Sequence, residues 1–320
     1  MFWKSGFDNV HFIIGSPRSG TTWLLRALNN HPQVYCTENR LFGQFCEIWP
    51  DNDGSKNVRI TLDEYIHLGS AHMETESCNI KVAGLESRLM REYIKTLLEV
   101  QRRVSGKKII IDKVTPYLGR SVLTLSKIRE FFPNAKLIQI LRDGRDVATS
   151  GAFDWLLKDG VGTHRYRHFV EKQTDTRLLR FFDDKFLSLW AQYWSNPIVA
   201  FEAIAQDALL IRYEEMLADQ IKVLGRLARY LSISDDITIL TECMKLSSFN
   251  IISGGRTQGE EDPVAKARKG VAGDWRRYFT RMDGELLNQL VGDMLIKYGY
   301  ENNEYWYDIL PENLSINAAH

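Results

Sequence analysis

The 320-residue chain lacks several features that define special classes of protein. It has four scattered cysteines and no CxxC pair, which argues against a disulfide framework and against a zinc site. It also lacks an apolar run near the roughly 18 residues of a membrane span. Its first residues lack the apolar core and cleavage site of a signal peptide. We therefore predict a cytoplasmic protein with reduced thiols, no membrane span and no metal site.

Charge of one sign is not in excess either. The 41 Lys and Arg residues balance the 41 Asp and Glu residues, so the formal net charge is zero. This balance argues against a nucleic-acid partner bound through bulk positive charge, and any anion site must be a local cluster. With 44% hydrophobic and 26% charged residues, the composition is that of a folded globular protein rather than a disordered chain.

Short apolar runs alternate with segments of helical periodicity. The runs are rich in Ile, Leu and Val, and most are unbroken, which is typical of strands buried on both faces of a parallel sheet. They occupy residues 10–14, 108–111, 135–141 and 208–212, and helical spacing is found in residues 21–28, 86–104 and 217–231. The alternation predicts an α/β fold with a doubly wound parallel sheet flanked by helices. We expect a single domain over residues 1–320, with helical and loop insertions.

The clearest local pattern is GSPRSGTTW, residues 15–23, between the first predicted strand and the first predicted helix. Its spacing matches the P-loop pattern GxxxxGK[ST], except that Thr21 replaces the lysine. Glycines let backbone amides converge on an oxyanion, and the helix N-terminus adds partial positive charge. A plain glycine-rich turn is the alternative. Arg18, Thr21 and Thr22 together favour a phosphate or sulfate site in a P-loop-like fold.

This loop resembles the 5′-phosphosulfate loop of sulfotransferases, enzymes that use 3′-phosphoadenylyl sulfate (PAPS) as the sulfuryl donor. Arg18 resembles the arginine that the tyrosylprotein-sulfotransferase branch has at this position, whereas the cytosolic branch has a lysine there. The resemblance implies that five residues cradle the 5′-phosphosulfate, namely Arg18, Ser19, Gly20, Thr21 and Thr22. It also implies that the Arg18 charge acts on the transferring group and that Trp23 stacks near the adenine.

The segment LRDGRDVATS, residues 141–150, follows the third apolar run and carries two arginines. A strand-to-helix turn of this kind is a second candidate anion site at the same sheet edge. Surface ion pairs of Arg142 and Arg145 with the neighbouring aspartates are the alternative. The segment resembles the 3′-phosphate motif of the family, in which an arginine and a serine eight positions later bind the donor. Arg142 and Ser150 have that spacing.

Later segments resemble other donor contacts of the family. Residues 267–280, ARKGVAGDWRRYFT, are similar to the RKGxxGDW segment of cytosolic sulfotransferases. This similarity implies that Arg268, Lys269 and Gly270 close over the same phosphate, whereas the alternative is a solvated basic loop. Shorter matches, of a length that core packing also produces, imply three further contacts with the nucleotide, from Tyr213, Ser247 and Phe249.

The acceptor needs a general base, and no histidine stands where the cytosolic branch places one. Residues 111–117, IDKVTPY, are instead similar to a segment of Golgi-type and bacterial enzymes, so that Lys113 would stabilise the transferring sulfuryl group. Glu38 follows a His-Pro segment after the first helix, as the glutamate base does in the tyrosylprotein and heparan-sulfate branches. Asp112 is a second candidate base and Glu47 a weaker third. For each carboxylate, the alternative is a structural ion pair.

The resemblance implies a sulfotransferase that moves a sulfuryl group from PAPS to a hydroxyl or amine by in-line displacement, with a carboxylate base. Such an enzyme releases adenosine 3′,5′-bisphosphate (PAP) and requires no metal. The resemblance covers a donor-binding core at residues 10–40, 108–150, 208–216 and 246–280. It leaves acceptor-side insertions at residues 41–107 and 151–207.

The insertions match no motif, so the acceptor stays open between a small molecule, a sugar, a peptide and a lipid. A homodimer is compatible with the sequence, which does not set the oligomeric state. A P-loop nucleotide kinase or NTPase is an alternative function, disfavoured because Thr21 replaces the lysine, and magnesium-dependent ATP turnover would support it. A non-catalytic nucleotide-binding relative is another, and PAP binding without sulfate transfer would support that one.

Overall fold

A computed structural model describes residues 7–39, 41–42, 49–50, 56–57, 67, 71, 84–116, 118–157, 180–263 and 265–314. Much of both acceptor-side insertions lies outside these ranges, and so does Glu47. The predicted donor-binding core lies within them except at residues 40, 117 and 264. The residues named for donor binding and catalysis are therefore all described, apart from that third candidate base.

A parallel sheet forms the centre of the fold, as predicted, and it has five strands in the part of the chain that the structure describes. Its strands are β1 (Val10–Gly15), β2 (Val34–Thr37), β5 (Ile109–Val114), β6 (Leu137–Leu141) and β7 (Leu209–Arg212). They lie in the order β2-β5-β1-β6-β7, and each neighbouring pair is parallel. Every residue of β1 and β6 is buried, which explains their apolar runs. A separate antiparallel pair consists of β3 (Trp49–Pro50) and β4 (Lys56–Asn57).

Two strands differ from the sequence interpretation. The edge strand β2 was not predicted, because its four residues alternate between buried and half-buried and form no unbroken apolar run. Strand β5 continues through Asp112 and Lys113 instead of ending before them. The backbone of both residues pairs with β1, and Asp112 also pairs with Thr37 of β2. The two side chains consequently point to opposite faces of the sheet.

Helices cover both faces of the sheet. In chain order they are α1 (Thr21–Asn29), α2 (Leu85–Ser105), α3 (Ser121–Phe131), α4 (Gly144–Leu157), α5 (Asp184–Ile204), α6 (Tyr213–Ala218), α7 (Gln220–Leu231), α8 (Ile237–Leu246), α9 (Phe249–Ser253) and α10 (Arg281–Lys297). Helices α2, α3 and α5 pack on the face that bears Phe12, and α1, α7 and α8 pack on the face that bears Ile13. Folds of this kind bind ligands at the carboxyl ends of their strands.

The helix predicted over residues 217–231 is divided into α6 and α7. Asp219 separates them in a non-helical conformation (φ −153°), and its carboxylate accepts a hydrogen bond from the Lys222 amide at 2.9 Å. This side-chain cap starts α7 one residue later. None of the helices in the described ranges is both long and apolar enough to cross a membrane.

Arg145 lies in a third buried cluster, which α4, α5 and α10 form beside the sheet. The residue is only 1% exposed, and its guanidinium lies 3.9 Å from the ring centre of Trp275 and 4.6 Å from that of Trp306. It also pairs with the carboxylates of Asp143 and Glu301. Arg145 therefore forms neither a surface ion pair nor part of an anion site, and it anchors the C-terminal residues to the start of α4.

Candidate functional site

A cavity of about 490 Å³ lies at the carboxyl edge of the sheet, where the loops after β1, β6 and β7 meet. Most of the predicted donor-binding residues line it, namely Arg18, Gly20, Thr21, Thr22, Trp23, Arg142, Ser150, Tyr213, Phe249, Arg268, Lys269 and Gly270. Ser19 does not line the cavity but stabilises the loop, since it is buried and its hydroxyl donates to the Ser16 carbonyl at 2.7 Å. The structure thus gathers segments that are far apart in sequence.

Gly20 closes the loop between β1 and α1 in a conformation that favours glycine. Its φ is +97°, and a Cβ atom at this position would lie 2.5 Å from Cδ2 of Tyr213. The same glycine is the N-cap of α1 and has no side chain, so it makes no side-chain hydrogen bond to the first amides of the helix. This absence of a side chain lets the loop approach the Tyr213 ring and leaves the amides of the helix N-terminus suited to an oxyanion.

Replacing Gly20 by Ala is expected to lower the free energy of unfolding by about 3 kcal/mol or more, because backbone strain and the clash with Tyr213 act together. The matched control is Gly106→Ala. Gly106 also has a positive φ, +67°, but no atom lies within 4 Å of the position of its Cβ. The control should cost only about 1 kcal/mol. Urea denaturation of both variants measures the difference, and equal losses would contradict the role of the Tyr213 contact.

The Arg18 guanidinium points towards α4 and the basic segment. Its Nε donates to Ser150 Oγ at 3.1 Å, its Nη1 pairs with Asp154 at 2.9 Å, and its Nη2 donates to the Lys266 carbonyl at 3.1 Å. Burial lowers the pKa of Arg18, Asp154 opposes this effect, and the nearby Arg142 cation adds to it. The side chain thus lies at the predicted 3′-phosphate motif, although its backbone belongs to the predicted 5′-phosphosulfate loop.

Arg142 joins the two predicted anion-binding turns. Its Nη1 donates to the Arg18 carbonyl at 3.2 Å and its Nη2 to the Val271 carbonyl at 3.0 Å, and its guanidinium lies 4.3 Å from the Tyr213 ring centre. The side chain is buried, and its Nε has no hydrogen-bond partner among the described residues. Arg142 lines the cavity, and a buried guanidinium whose Nε lacks a partner is suited to an anionic ligand.

The basic segment of residues 266–271 is docked on α4 rather than solvated. The buried carboxylate of Asp146 accepts hydrogen bonds from the amides of Gly273 at 2.7 Å and Trp275 at 3.1 Å. Arg268 is 7% exposed and pairs with Asp274 at 2.5 Å, and Lys269 pairs with the same carboxylate at 2.7 Å. These contacts fix Arg268 and Lys269 at the wall of the cavity.

Aromatic side chains form the opposite wall. The Trp23 indole nitrogen donates to the Ser247 carbonyl at 2.9 Å, and its ring meets that of Tyr213 edge to face at 5.4 Å. The Ser247 hydroxyl donates to the Cys243 carbonyl at 2.7 Å and accepts from Gln220 at 2.7 Å. Ser247 therefore acts on the cavity through its backbone, by orienting the Trp23 ring.

Glu38 and Lys113 form an ion pair beside the loop. The distance from Glu38 Oε2 to Lys113 Nζ is 2.8 Å, and Nζ also donates to Thr22 Oγ1 at 3.2 Å. The Lys113 side chain is 6% exposed, whereas that of Glu38 is 35% exposed. The lysine is thus fixed between the loop and the carboxylate, and the carboxylate remains partly exposed to solvent.

Asp112 lies on the other face of the sheet and is fully buried. Its Oδ1 accepts hydrogen bonds from the Asn39 amide at 3.0 Å and from Asn39 Nδ2 at 3.3 Å, and its Oδ2 has no partner among the described residues. The Asn39 and Gln101 side chains exchange two hydrogen bonds of 2.8 Å. Burial raises the pKa of Asp112 to about 7. This geometry favours Asp112 as a support for the turn that carries Glu38.

Asp112→Asn is expected to remove a pH dependence of stability. Because the pKa of Asp112 is about 7 in the folded state and 3.8 as a reference value, the folded chain holds the extra proton between these values. Stability should therefore fall as pH rises through this window, by roughly 1 kcal/mol per pH unit. Urea denaturation of the wild type and the variant at pH 5 and pH 7 measures the free energy of unfolding. It should decline less for the variant, and equal declines would contradict the raised pKa of Asp112.

Some residues of the site lie outside the recognised motifs, and the sequence did not predict them. Asp154, the partner of Arg18, lies one helical turn after Ser150, a spacing that places both on one side of α4. Asn39 and Gln101 lie on different elements, and nothing in the sequence links them. The signal for Asp154 was available as helical spacing, whereas the Asn39–Gln101 pair depends on the packing of α2.

The chain is similar to known sulfotransferases. A sequence profile described as the sulfotransferase family matches residues 11–236. Cytosolic sulfotransferase 5 of Arabidopsis thaliana is 25% identical over 158 residues, which cover 43% of this chain and 47% of that protein. Human protein-tyrosine sulfotransferase 1 is 26% identical over 163 residues, which cover 50% of this chain and 38% of that protein. The chain thus spans about half the length of the first relative and less of the second.

The fold is similar to that of a solved sulfotransferase. A crystal structure of the mouse sulfotransferase SULT7A1 complexed with PAP superposes with a TM-score of 0.51 and 19% sequence identity. The superposition covers 91% of this chain and 89% of that chain. The similarity confirms the predicted α/β architecture.

Proposed function

The chain belongs to the sulfotransferase family, and on that premise we propose that it transfers a sulfuryl group from PAPS to a hydroxyl or amine of an acceptor. One observation carries the proposal. The turn of Arg18 and the turn of Arg142 meet directly, because Arg142 Nη1 donates to the Arg18 carbonyl at 3.2 Å, and both arginines line one cavity. A single nucleotide with anionic groups at both ends can therefore contact both turns.

The residues around the cavity fit such a donor. The loop after β1 supplies amides at the N-terminus of α1 for the 5′-phosphosulfate, and Gly20 leaves room there. The buried Arg142 Nε without a partner fits the 3′-phosphate, together with Ser150 and Arg268. Trp23 and Phe249 offer ring surfaces for the adenine. The mouse sulfotransferase of similar fold is complexed with PAP, which supports the same nucleotide here.

The chain's own residues supply positioning, charge and a base. PAPS provides the activated sulfuryl group, and Lys113 and the loop amides stabilise the negative charge that develops on transfer. Glu38 accepts the proton of the acceptor hydroxyl or amine, a role that its accessible carboxylate supports. Lys113 orients this carboxylate and is itself fixed by Thr22, so the base and the loop form one connected unit.

A screen with ³⁵S-labelled PAPS tests the function. The label should pass to at least one acceptor among phenols, sugars, peptides and lipids, and Glu38→Gln should reduce that transfer. PAP binding without transfer to any acceptor would favour a non-catalytic relative. Magnesium-dependent hydrolysis of ATP without PAP binding would favour a nucleotide kinase or NTPase.

The acceptor, the compartment and the assembly belong to the same proposal. The acceptor is a small molecule, sugar, peptide or lipid, and one relative named above is a protein-tyrosine sulfotransferase. The buried cysteines Cys36 and Cys243 are free thiols, which suits the predicted cytoplasmic location. Fractionation of cells checks the location, and sedimentation at several concentrations checks for the homodimer.

A further inference from the structure

Arg256 belongs to none of the motifs and has no part in the proposed chemistry. We propose that it is a positioning residue, which holds the basic segment of residues 266–271 in the shape that binds the 3′-phosphate of the donor. This inference rests on the proposed function. It assigns the recognition of the 3′-phosphate to a residue outside the cavity wall, as well as to the cations that line that wall.

The Arg256 guanidinium is bound to the backbone of the segment. Its Nη1 donates to the Arg268 carbonyl at 2.7 Å and to the Glu260 carbonyl at 3.1 Å, and its Nη2 donates to the Ala267 carbonyl at 2.5 Å. A guanidinium has the fixed planar fork that such a set of acceptors requires, whereas a lysine ammonium lacks that geometry. One side chain thus binds two successive peptide carbonyls of the segment, and the Arg268 carbonyl also accepts from the Asp262 amide at 3.0 Å.

The neighbouring carbonyls of the segment are bound in the same manner. Each accepts a hydrogen bond from a group outside residues 266–271: Lys266 from Arg18, Lys269 from the Gly259 amide, Gly270 from Gln258 and Val271 from Arg142. All six carbonyls are therefore engaged. A segment that binds an anion must present amides and cations rather than carbonyls. Because all six carbonyl oxygens already accept hydrogen bonds, their partial negative charge is offset by these donors.

Arg256 also links the segment to the aromatic wall. Its guanidinium lies 5.4 Å from the ring centre of Phe249, and this ring packs on Gly270, which has a φ of +70°. The described residues between Gly254 and Gly273 form no helix or strand, so their shape depends on hydrogen bonds of this kind. Loss of the Arg256 fork should therefore move Arg268 and Lys269 relative to the cavity.

The test compares the binding of PAP and of 5′-AMP, which lacks the 3′-phosphate, by calorimetry. Arg256→Met should raise the Kd for PAP roughly 10- to 100-fold, as expected for lost charge-assisted hydrogen bonds. The Kd for 5′-AMP should change by less than about threefold, so the preference for PAP should fall. Arg256→Lys should restore only part of it, because the ammonium keeps the charge without the fork.

Arg276→Met is the matched control. Arg276 follows the same segment and is exposed, and its guanidinium lies over the Trp275 ring at 4.5 Å. The control removes the same charge without a carbonyl contact to the segment, so it should leave the preference for PAP unchanged. An equal loss of preference in the control would overturn the inference in favour of a net-charge effect.

The outcomes separate the inference from the function. If the wild-type chain does not bind PAP, the proposed function fails. If the wild type binds PAP and Arg256→Met binds it with the same affinity and preference, the positioning role is wrong. The role is also wrong if the variant loses affinity for both nucleotides equally and melts at a lower temperature. If Arg256→Met does not fold, Arg256→Lys decides the question. A preference for PAP over 5′-AMP below that of the wild type supports the positioning role, and an unchanged preference overturns it.

Discussion

Glu38→Gln is expected to lower the rate of sulfuryl transfer by roughly 10²- to 10⁴-fold, the usual contribution of a general base. Glutamine has the same size and can still contact Lys113, but it cannot take a proton from the acceptor. The affinity for PAP should stay within about threefold of the wild type, because Glu38 does not line the nucleotide cavity. Single-turnover transfer to an acceptor identified in the screen, with PAP binding measured in parallel, gives both values.

Asp112→Asn is the control for this experiment. Asp112 lies on the opposite face of the sheet and contacts the turn of Glu38 only through Asn39. Its replacement should reduce transfer less than tenfold, since asparagine keeps the oxygen that accepts from the Asn39 amide. If Asp112→Asn lowered transfer as much as Glu38→Gln does, or if Glu38→Gln transferred sulfate at the wild-type rate, the base would not be Glu38.

Arg142→Ala is expected to weaken PAP binding by on the order of 100- to 1000-fold, the loss typical of removing one partner of a buried charged contact. The change deletes the bridge between the Arg18 and Val271 carbonyls and the nitrogen assigned to the 3′-phosphate. It also leaves the buried carboxylate of Asp146, 3.8 Å away, without its cation. The free energy of unfolding should therefore fall by about 3 kcal/mol or more.

Two further measurements separate the loss of binding from the loss of stability. Arg142→Lys keeps a cation for Asp146 and should fold more stably than the alanine variant, yet it should still bind PAP poorly. The affinity for 5′-AMP should fall much less than that for PAP in both variants. A wild-type protein that bound PAP and 5′-AMP equally well would show that the cavity does not recognise the 3′-phosphate.

The sequence predicted the frame of the site because continuous patterns carry it. The buried run of β1, the glycines after it and the helix that follows are adjacent in sequence, so their geometry follows from local rules. The loop 15–20 was for this reason placed correctly at the sheet edge. The parallel direction of β1, β5, β6 and β7 followed from the alternation of apolar runs and helices, whereas their order in the sheet was not predicted.

Side-chain direction was the part that the sequence did not contain. An unbroken apolar run marks a strand as buried without revealing which face each residue occupies, so the run did not show which of Asp112 and Lys113 lies beside Thr22. Arg18 adopts a positive φ of 67°, which turns its side chain to Ser150 and Asp154. Its position in the motif implied contact with the other end of the donor. The direction of these side chains depends on contacts between segments that are distant in sequence.

The engagement of all six carbonyls from Lys266 to Val271 has a consequence for how a nucleotide is captured. A wall whose backbone is already hydrogen-bonded does not need to become ordered when the ligand arrives, so little conformational entropy is lost at that moment. Most of the interaction energy between the nucleotide and this wall is then available for affinity, and the association rate need not wait for a slow rearrangement.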